Sequence, residues 1–235
     1  MRPRWFILSP VLLLALSFWI VLAEPLVPAL SRVQTDKRIV ALTFDDGPSP
    51  RFTPQILSLL SRYHAQATFF VLGSEAERYP QLVKAIVIQG SQVANHGWSH
   101  LNLRQVGAQR MWQDAARTTT LLRSLGVPPA PYYRPPYGMM SPGLIQRFEG
   151  HGYEIVLWSV DTRDWATPGV GSIRATIERL INPGAIILMH DGGGNRQQTV
   201  AALNWLLSTY SRQGWRFVTL TQLTHPDAQP VSTRK

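Results

Sequence analysis

Five short segments of the chain carry residue types whose spacing suits chemistry. The first is Thr43-Phe44-Asp45-Asp46-Gly47-Pro48-Ser49, with two adjacent carboxylates after an apolar run. Adjacent side chains at a strand end diverge, so one carboxylate can take a metal while its neighbour faces a substrate. A divalent cation also removes the repulsion between them. The second is Asn95-His96-Gly97-Trp98-Ser99-His100. Its His-x-x-x-His spacing lets two imidazoles close on one divalent ion, typically zinc, and two histidines plus one carboxylate leave a position open for water.

The third is Tyr133-Arg134-Pro135-Pro136-Tyr137-Gly138. Its two prolines fix the backbone and withhold their own donors, so the Tyr137 N–H is held in a defined direction and Arg134 is available to a carboxylate. The fourth, Asp161-Thr162-Arg163-Asp164-Trp165, combines two carboxylates with an aromatic suited to a sugar-facing wall. The fifth, Leu188-Met189-His190-Asp191-Gly192-Gly193-Gly194, ends a buried run with a general-acid candidate, His190. No Gly-Lys-Ser/Thr follows the glycines, which excludes a P-loop. Taken singly, the first four segments also fit bland readings: an Asp-Gly-Pro turn, hydrogen-bonded structural histidines, a rigid turn, and a loop with a local ion pair. His64, His151 and His225 lie in helix or turn contexts and read as structural or solvent-facing.

The elements that must position these residues follow from hydrophobic pattern. Strands are predicted at Ile39–Phe44, Ala67–Leu72, Gln92–Ala94, Tyr132–Arg134, Glu154–Val160, Ala185–Met189 and Arg216–Leu220. Several are apolar without alternation, as in strands buried on both faces. Helical spacing covers Phe52–His64, Glu75–Gln89, Leu103–Leu125, Gly143–Glu149, Ile173–Ile181 and Thr199–Arg212, with Gly126 and Gly150 as stops. Strands alternating with helices argue for a parallel α/β architecture, in which every polar segment above falls at the same, C-terminal, end of the strands.

Length and composition agree. The 235 residues suffice for one large domain, with 45% hydrophobic and 16% charged residues and a formal net charge of +9. The absence of cysteine excludes a disulfide scaffold, an iron–sulfur cluster, a thiolate zinc site and a cysteine nucleophile. No Gly-x-Ser-x-Gly elbow is present, which removes the usual α/β-hydrolase reading. Of eight aspartates, five (Asp45, Asp46, Asp161, Asp164, Asp191) fall in the segments above, a clustering that suggests a site rather than solubility. The 20 Arg and 3 Lys form no run, so nucleic acid is not an expected partner. A basic surface of this kind suits an anionic matrix.

Arg2 and Arg4 precede an apolar stretch from Trp5 to Ala23, followed by Glu24. Residues 1–23 therefore read as a signal peptide or a membrane anchor, a hydrophobic helix that places the rest of the chain outside the cytoplasm. Residues 24–37 read as a linker, 38–224 as the domain and 225–235 as a polar tail.

In their order and spacing, the five segments resemble the polysaccharide deacetylase family, the NodB-homology or carbohydrate esterase family 4 domain, over roughly Arg38 to Leu223. The resemblance implies a distorted (β/α) barrel of about seven parallel strands. It implies Asp45 as catalytic base, Asp46, His96 and His100 as ligands of a divalent metal, Zn2+ foremost, and Arg134 as holder of the base. It further implies an oxyanion contact from the Tyr137 N–H, Asp164 tuning a catalytic His190, Trp165 as groove wall and Leu188 at the acetyl methyl. The implied activity removes N-acetyl groups from an extracytoplasmic N-acetylglucosamine polysaccharide such as peptidoglycan or chitin, releasing acetate. O-deacetylation of a glycan such as xylan and a non-catalytic sugar-binding relative are the alternatives. A retaining glycosidase would leave the His-x-x-x-His unexplained. The family usually has Ser or Thr after the first metal histidine, where the hydroxyl braces the loop. This chain has Gly97 there, so a less rigid His96–His100 loop and weaker metal binding are expected.

Overall fold

The apolar run that begins at Ile39 forms the central strand β1 (Ile39–Asp45), buried at every position, in a computed structural model that describes residues 29–226. The remaining strands are β2 (Thr68–Val71), β3 (Gln92–Asn95), β4 (Tyr132–Tyr133), β5 (Glu154–Ile155), β6 (Val160–Asp161), β7 (Ile186–His190) and β8 (Arg216–Val218). All pair in parallel, in the order β5-β4-β3-β2-β1-β7-β6. Strand β8 lies along the first half of β1, at Ile39–Ala41, while β2 pairs with its end at Thr43–Asp45.

The helices are α1 (Thr53–Arg62), α2 (Gly73–Arg78), α3 (Pro80–Ile88), α4 (Leu103–Ser124), α5 (Pro142–Glu149), α6 (Val170–Leu180), α7 (Gln197–Ser211) and α8 (Leu220–Thr224). This is the α/β architecture expected, with seven strands along the main path and β8 beside them. The sheet curls, consistent with a distorted barrel. Residues 30–33 link its two sides: Leu30 bridges Val156 just beyond the edge strand β5, and Arg32 bridges Ala185 just before β7, the neighbour of the other edge strand β6.

The two-residue period of β1 divides its side chains between two layers. Val40, Leu42 and Phe44 pack outward against Ile56 and Leu60 of α1 and Leu203 and Leu207 of α7. Ile39 and Ala41 point inward to Phe70, Ala94, Tyr132 and Ile186. The same period places Thr43 and Asp45 on the inner face at the strand's C-terminal rim. Phe44 stacks on Phe69 at 5.1 Å. Its truncation to Ala would cost about 3–5 kcal/mol, the usual loss for an aromatic in a packed core.

Several elements differ from the sequence reading for local reasons; the strand expected over Arg216–Leu220, for one, stops at Val218, where Thr219 caps the helix that begins at Leu220. The helix expected over Glu75–Gln89 is two helices, because Pro80 lacks an N–H and drives Tyr79 to φ −132°. The strand expected over Glu154–Val160 is β5 and β6, because the run between them crosses from one end of the sheet to the other. Val156 N–H donates to Tyr133 on the β4 side, Leu157 N–H to Leu30, and Ser159 N–H to Ile186 on the β7 side. Helix α4 carries a break at Gly107, whose φ of 72° only glycine adopts freely. The apolar segment read as a signal or membrane helix, with its linker up to residue 28, lies outside the described residues. Among the described residues no helix is long and apolar enough to cross a membrane.

Candidate metal centre and active site

Strand alternation builds the site at the C-terminal rim. On β3, Val93 faces the helices and Ala94 the interior, so His96, two residues on, also turns inward. On β4, Tyr133 packs outward under Phe148, at 3.8 Å between rings, and Arg134 follows inward. Asp46 and His100 leave the strand pattern through left-handed backbone, at φ 70° and 53°. That turn swings the Asp46 carboxylate away from Asp45 and toward the two histidines.

Asp46 Oδ1 lies 3.5 Å from His96 Nε2 and 3.4 Å from His100 Nε2. All three potential donor atoms fall within 4.8 Å of one another. Ligands about 2.0–2.2 Å from a tetrahedral ion sit roughly 3.3–3.6 Å apart, so the two separations from Asp46 suit one small divalent cation shared with both histidines. Hydrogen bonding points the same way. His96 Nδ1 lies 2.7 Å from the Arg134 carbonyl, which only accepts, so Nδ1 carries a proton and the ring in its neutral form presents a lone pair at Nε2. That lone pair faces Asp46 Oδ1, a buried oxygen with no hydrogen-bond partner among the described residues. Two acceptors aimed at one point repel each other unless a positive charge, a proton or a metal ion, lies between them.

The local field agrees. Burial works against an ionised Asp46, yet the facing His96, with His190 and His100, holds its carboxyl well below the usual range. Burial also opposes protonation of His96, but Asp45 and Asp46 outweigh it and raise its proton affinity. The same negative field favours a metal cation. Burial first, and then the neighbouring His96, lowers the pKa of His100, which favours the neutral ring that a metal ligand needs.

Asp45 is next to this triad but held separately. Arg134, with no solvent exposure, donates from Nη1 to Asp45 Oδ1 at 2.7 Å and to Thr43 Oγ1 at 2.8 Å. Its other donors take the Val156 carbonyl at 3.3 Å and the Leu157 carbonyl at 2.9 Å, the two exposed by the crossing between β5 and β6. The second Asp45 oxygen, Oδ2, remains 3.8 Å from His96 Nε2.

On the opposite side, Asp164 Oδ1 accepts from His190 Nδ1 at 2.7 Å. Asp164 Oδ2 accepts from the His190 N–H at 2.8 Å and from Thr199 Oγ1 at 2.7 Å. Burial alone would lower the pKa of His190, but the bond and charge of Asp164, with Asp45 and Asp46, raise it. Asp164 in turn is held low against its burial, chiefly by His190. The next residue along β7's exit, Asp191, is buried beside Thr53, whose hydroxyl donates to Oδ2. Burial first, then the nearby Asp46 and Asp45, push Asp191 up to about 7.

Tyr137 adopts φ 61° in the turn 136–138, with its ring 4.5 Å from that of His100. The turn's own bonds run from the Gly138 and Met139 N–H groups, which leaves the Tyr137 N–H outside them. Trp165 follows Asp164 and is 51% exposed, a flat face beside the site. Leu188 is buried on β7, opposite Thr43 in register and two residues before His190. The structure thus brings Asp45, Asp46, His96, His100, Arg134, Asp164 and His190 together, with Tyr137 and Trp165 at the edge. Asp161 does not join them, and accepts only from the Arg163 N–H at 2.9 Å. Thr199 and Thr43 are parts of the site that the motif reading gave no role. Neither had a signal, since each looks like any threonine at a helix start or in a strand.

A family profile described as polysaccharide deacetylase matches residues 32–156. A Bacillus cereus protein named peptidoglycan-N-acetylglucosamine deacetylase is 40% identical over 193 residues, covering 81% of this chain and 90% of that protein. A chitooligosaccharide deacetylase of a Bradyrhizobium species is 36% identical, covering 79% and 90%. Among solved structures, the Bc1960 peptidoglycan N-acetylglucosamine deacetylase in complex with an N-hydroxybenzamide compound superposes with a TM-score of 0.78 at 38% identity. It covers 83% of this chain and 91% of that one.

Proposed function

The chain belongs to the polysaccharide deacetylase family, and on that premise we propose that it is a metal-dependent hydrolase removing N-acetyl groups from an N-acetylglucosamine-containing glycan outside the cytoplasm. The observation that carries this reading is the placement of one cation-shaped triad between two differently held groups. Asp45 is fixed by Arg134 on one side, and His190 by Asp164 on the other.

Asp46, His96 and His100 would hold a divalent ion, Zn2+ by donor type, which would supply carbonyl polarisation and a water pKa lowered from 15.7 toward about 7. The protein's own groups do the rest. Arg134 occupies Asp45 Oδ1, so Oδ2 is the oxygen that accepts the proton of the attacking water. The Tyr137 N–H donates to the acetamide oxygen as negative charge builds on it, a contact worth most in the transition state. His190, kept protonated by Asp164, gives its Nε2 proton to the amine as the C–N bond breaks, since an unprotonated amine is a very poor leaving group. Trp165 offers a stacking wall for a sugar ring, and Leu188 an apolar neighbour for the acetyl methyl. Acetate and a free amino sugar leave.

The glycan choice is supported by the two relatives named for peptidoglycan and for chitooligosaccharides. The extracytoplasmic setting is supported by Arg2, Arg4 and the apolar stretch behind them. Acetate release from peptidoglycan, acetylated chitooligomers and acetylxylan tests the reading. We expect release from the first two, with Asp45→Asn and His190→Ala each lowering turnover roughly 10²–10⁴-fold while the fold is kept. Release from acetylxylan only, or unchanged turnover in both variants, would overturn it.

A further inference from the structure

The loop between the two metal histidines lacks a hydroxyl at Gly97, yet nearly all of its backbone polar groups find a partner. Gly97 N–H donates to Asn95 Oδ1 at 2.7 Å. Trp98 N–H and Ser99 N–H both donate to Asp114 Oδ2, at 2.6 and 3.1 Å. The Gly97 and Trp98 carbonyls accept from Gly73 N–H and Ser74 N–H at the start of α2, at 2.9 and 3.2 Å. Asn95 is itself tied to α4 through the Ala115 carbonyl at 2.8 Å and Thr119 Oγ1 at 2.9 Å. The buried Trp98 ring lies under the Arg117 guanidinium of the same helix, at 3.4 Å.

Asp114 is buried mid-helix and makes no ion pair among the described residues. A buried carboxylate is costly unless its lone pairs are used, and here both bonds go to the loop. A Cβ at Gly97 would stand 2.9 Å from Asp114 Oδ2, so the carboxylate fills the space that a side chain at position 97 would need. Glycine at 97 and aspartate at 114 are thus two halves of one arrangement, and the loop is not the loose one expected from Gly97.

We propose that Asp114 is a positioning residue for the metal site: by holding the Trp98 and Ser99 amides it fixes the segment between His96 and His100, so that both Nε2 atoms face Asp46. Its effect on metal binding rests on the reading of the triad as a metal site, whereas its bracing of the loop does not. Two measurements separate these. The first is Zn2+ affinity, from competition with a chromophoric chelator. Asp114→Ala should weaken it about 10–100-fold, as loss of support to a metal ligand usually does. Asp114→Asn, which keeps an acceptor oxygen, should fall between Ala and wild type, and His100→Ala marks the loss of a true ligand. The second is amide hydrogen exchange of Trp98 and Ser99 in metal-free protein. Asp114→Ala should abolish their protection while β1 and β7 amides remain protected, and Asp114→Asn should retain part of it. Unchanged Zn2+ affinity in Asp114→Ala with His100→Ala impaired, or retained protection of both amides, overturns the proposal. A wild-type chain that binds no Zn2+ overturns the metal reading, and the exchange result then decides the brace.

Discussion

Arg134 Nη1 donates to Asp45 Oδ1 at 2.7 Å, from a guanidinium that no solvent reaches. The pair is buried on both sides, with Phe70 4.1 Å from the guanidinium carbon. Removing one partner of such a pair strands the other charge and costs about 3–5 kcal/mol. Arg134→Met should therefore lower unfolding free energy in urea by about that amount, with acetate release falling too. Arg134→Lys keeps the charge but cannot reach all four acceptors, and should lie between. A loss under about 1 kcal/mol for Met would show that Asp45 does not depend on this contact.

The Asp164–His190 bond makes a pH prediction. As the proposed general acid, His190 has to start protonated, so kcat/KM should fall as pH rises through its raised pKa. Asp164→Asn removes the charge that opposes burial, the His190 pKa drops, and the alkaline limb should move to lower pH. Initial rates from pH 5 to 10 check this. A limb that stays in place would assign it to another group.

Trp165 is half exposed, and its side chain carries little of the core. Trp165→Ala should leave the melting temperature nearly unchanged, as for most surface substitutions. If the ring stacks on a sugar, 1–2 kcal/mol of lost binding raises KM about 5–30-fold with kcat within about twofold. A fall in kcat with KM unchanged would place Trp165 in the chemistry instead of the groove wall.

The sequence was most readable where function is packed into short motifs. Asp45-Asp46, His96 with His100, and His190 each end or follow an apolar strand, so topology brought them together once the parallel sheet was inferred. The strand at Glu154–Val160 was less readable, because an apolar run shows burial but not that Leu157 turns from one end of the sheet toward the other. Thr199 and Asp114 were not readable at all. One sits at the start of a helix and the other inside one, and their partners, Asp164 and the Trp98–Ser99 amides, lie 35 and 15–16 residues away. Only the folded geometry shows that these two side chains face the site rather than water.

The most direct test is acetate release by protein stripped with a chelator, dialysed and titrated with Zn2+, with Asp46→Ala and His96→Ala treated in parallel. The stripped chain should be inactive, activity should return by one equivalent of metal, and neither variant should recover at that ratio. Full activity of the stripped wild-type chain, or recovery of both variants at one equivalent, would contradict the metal-dependent mechanism.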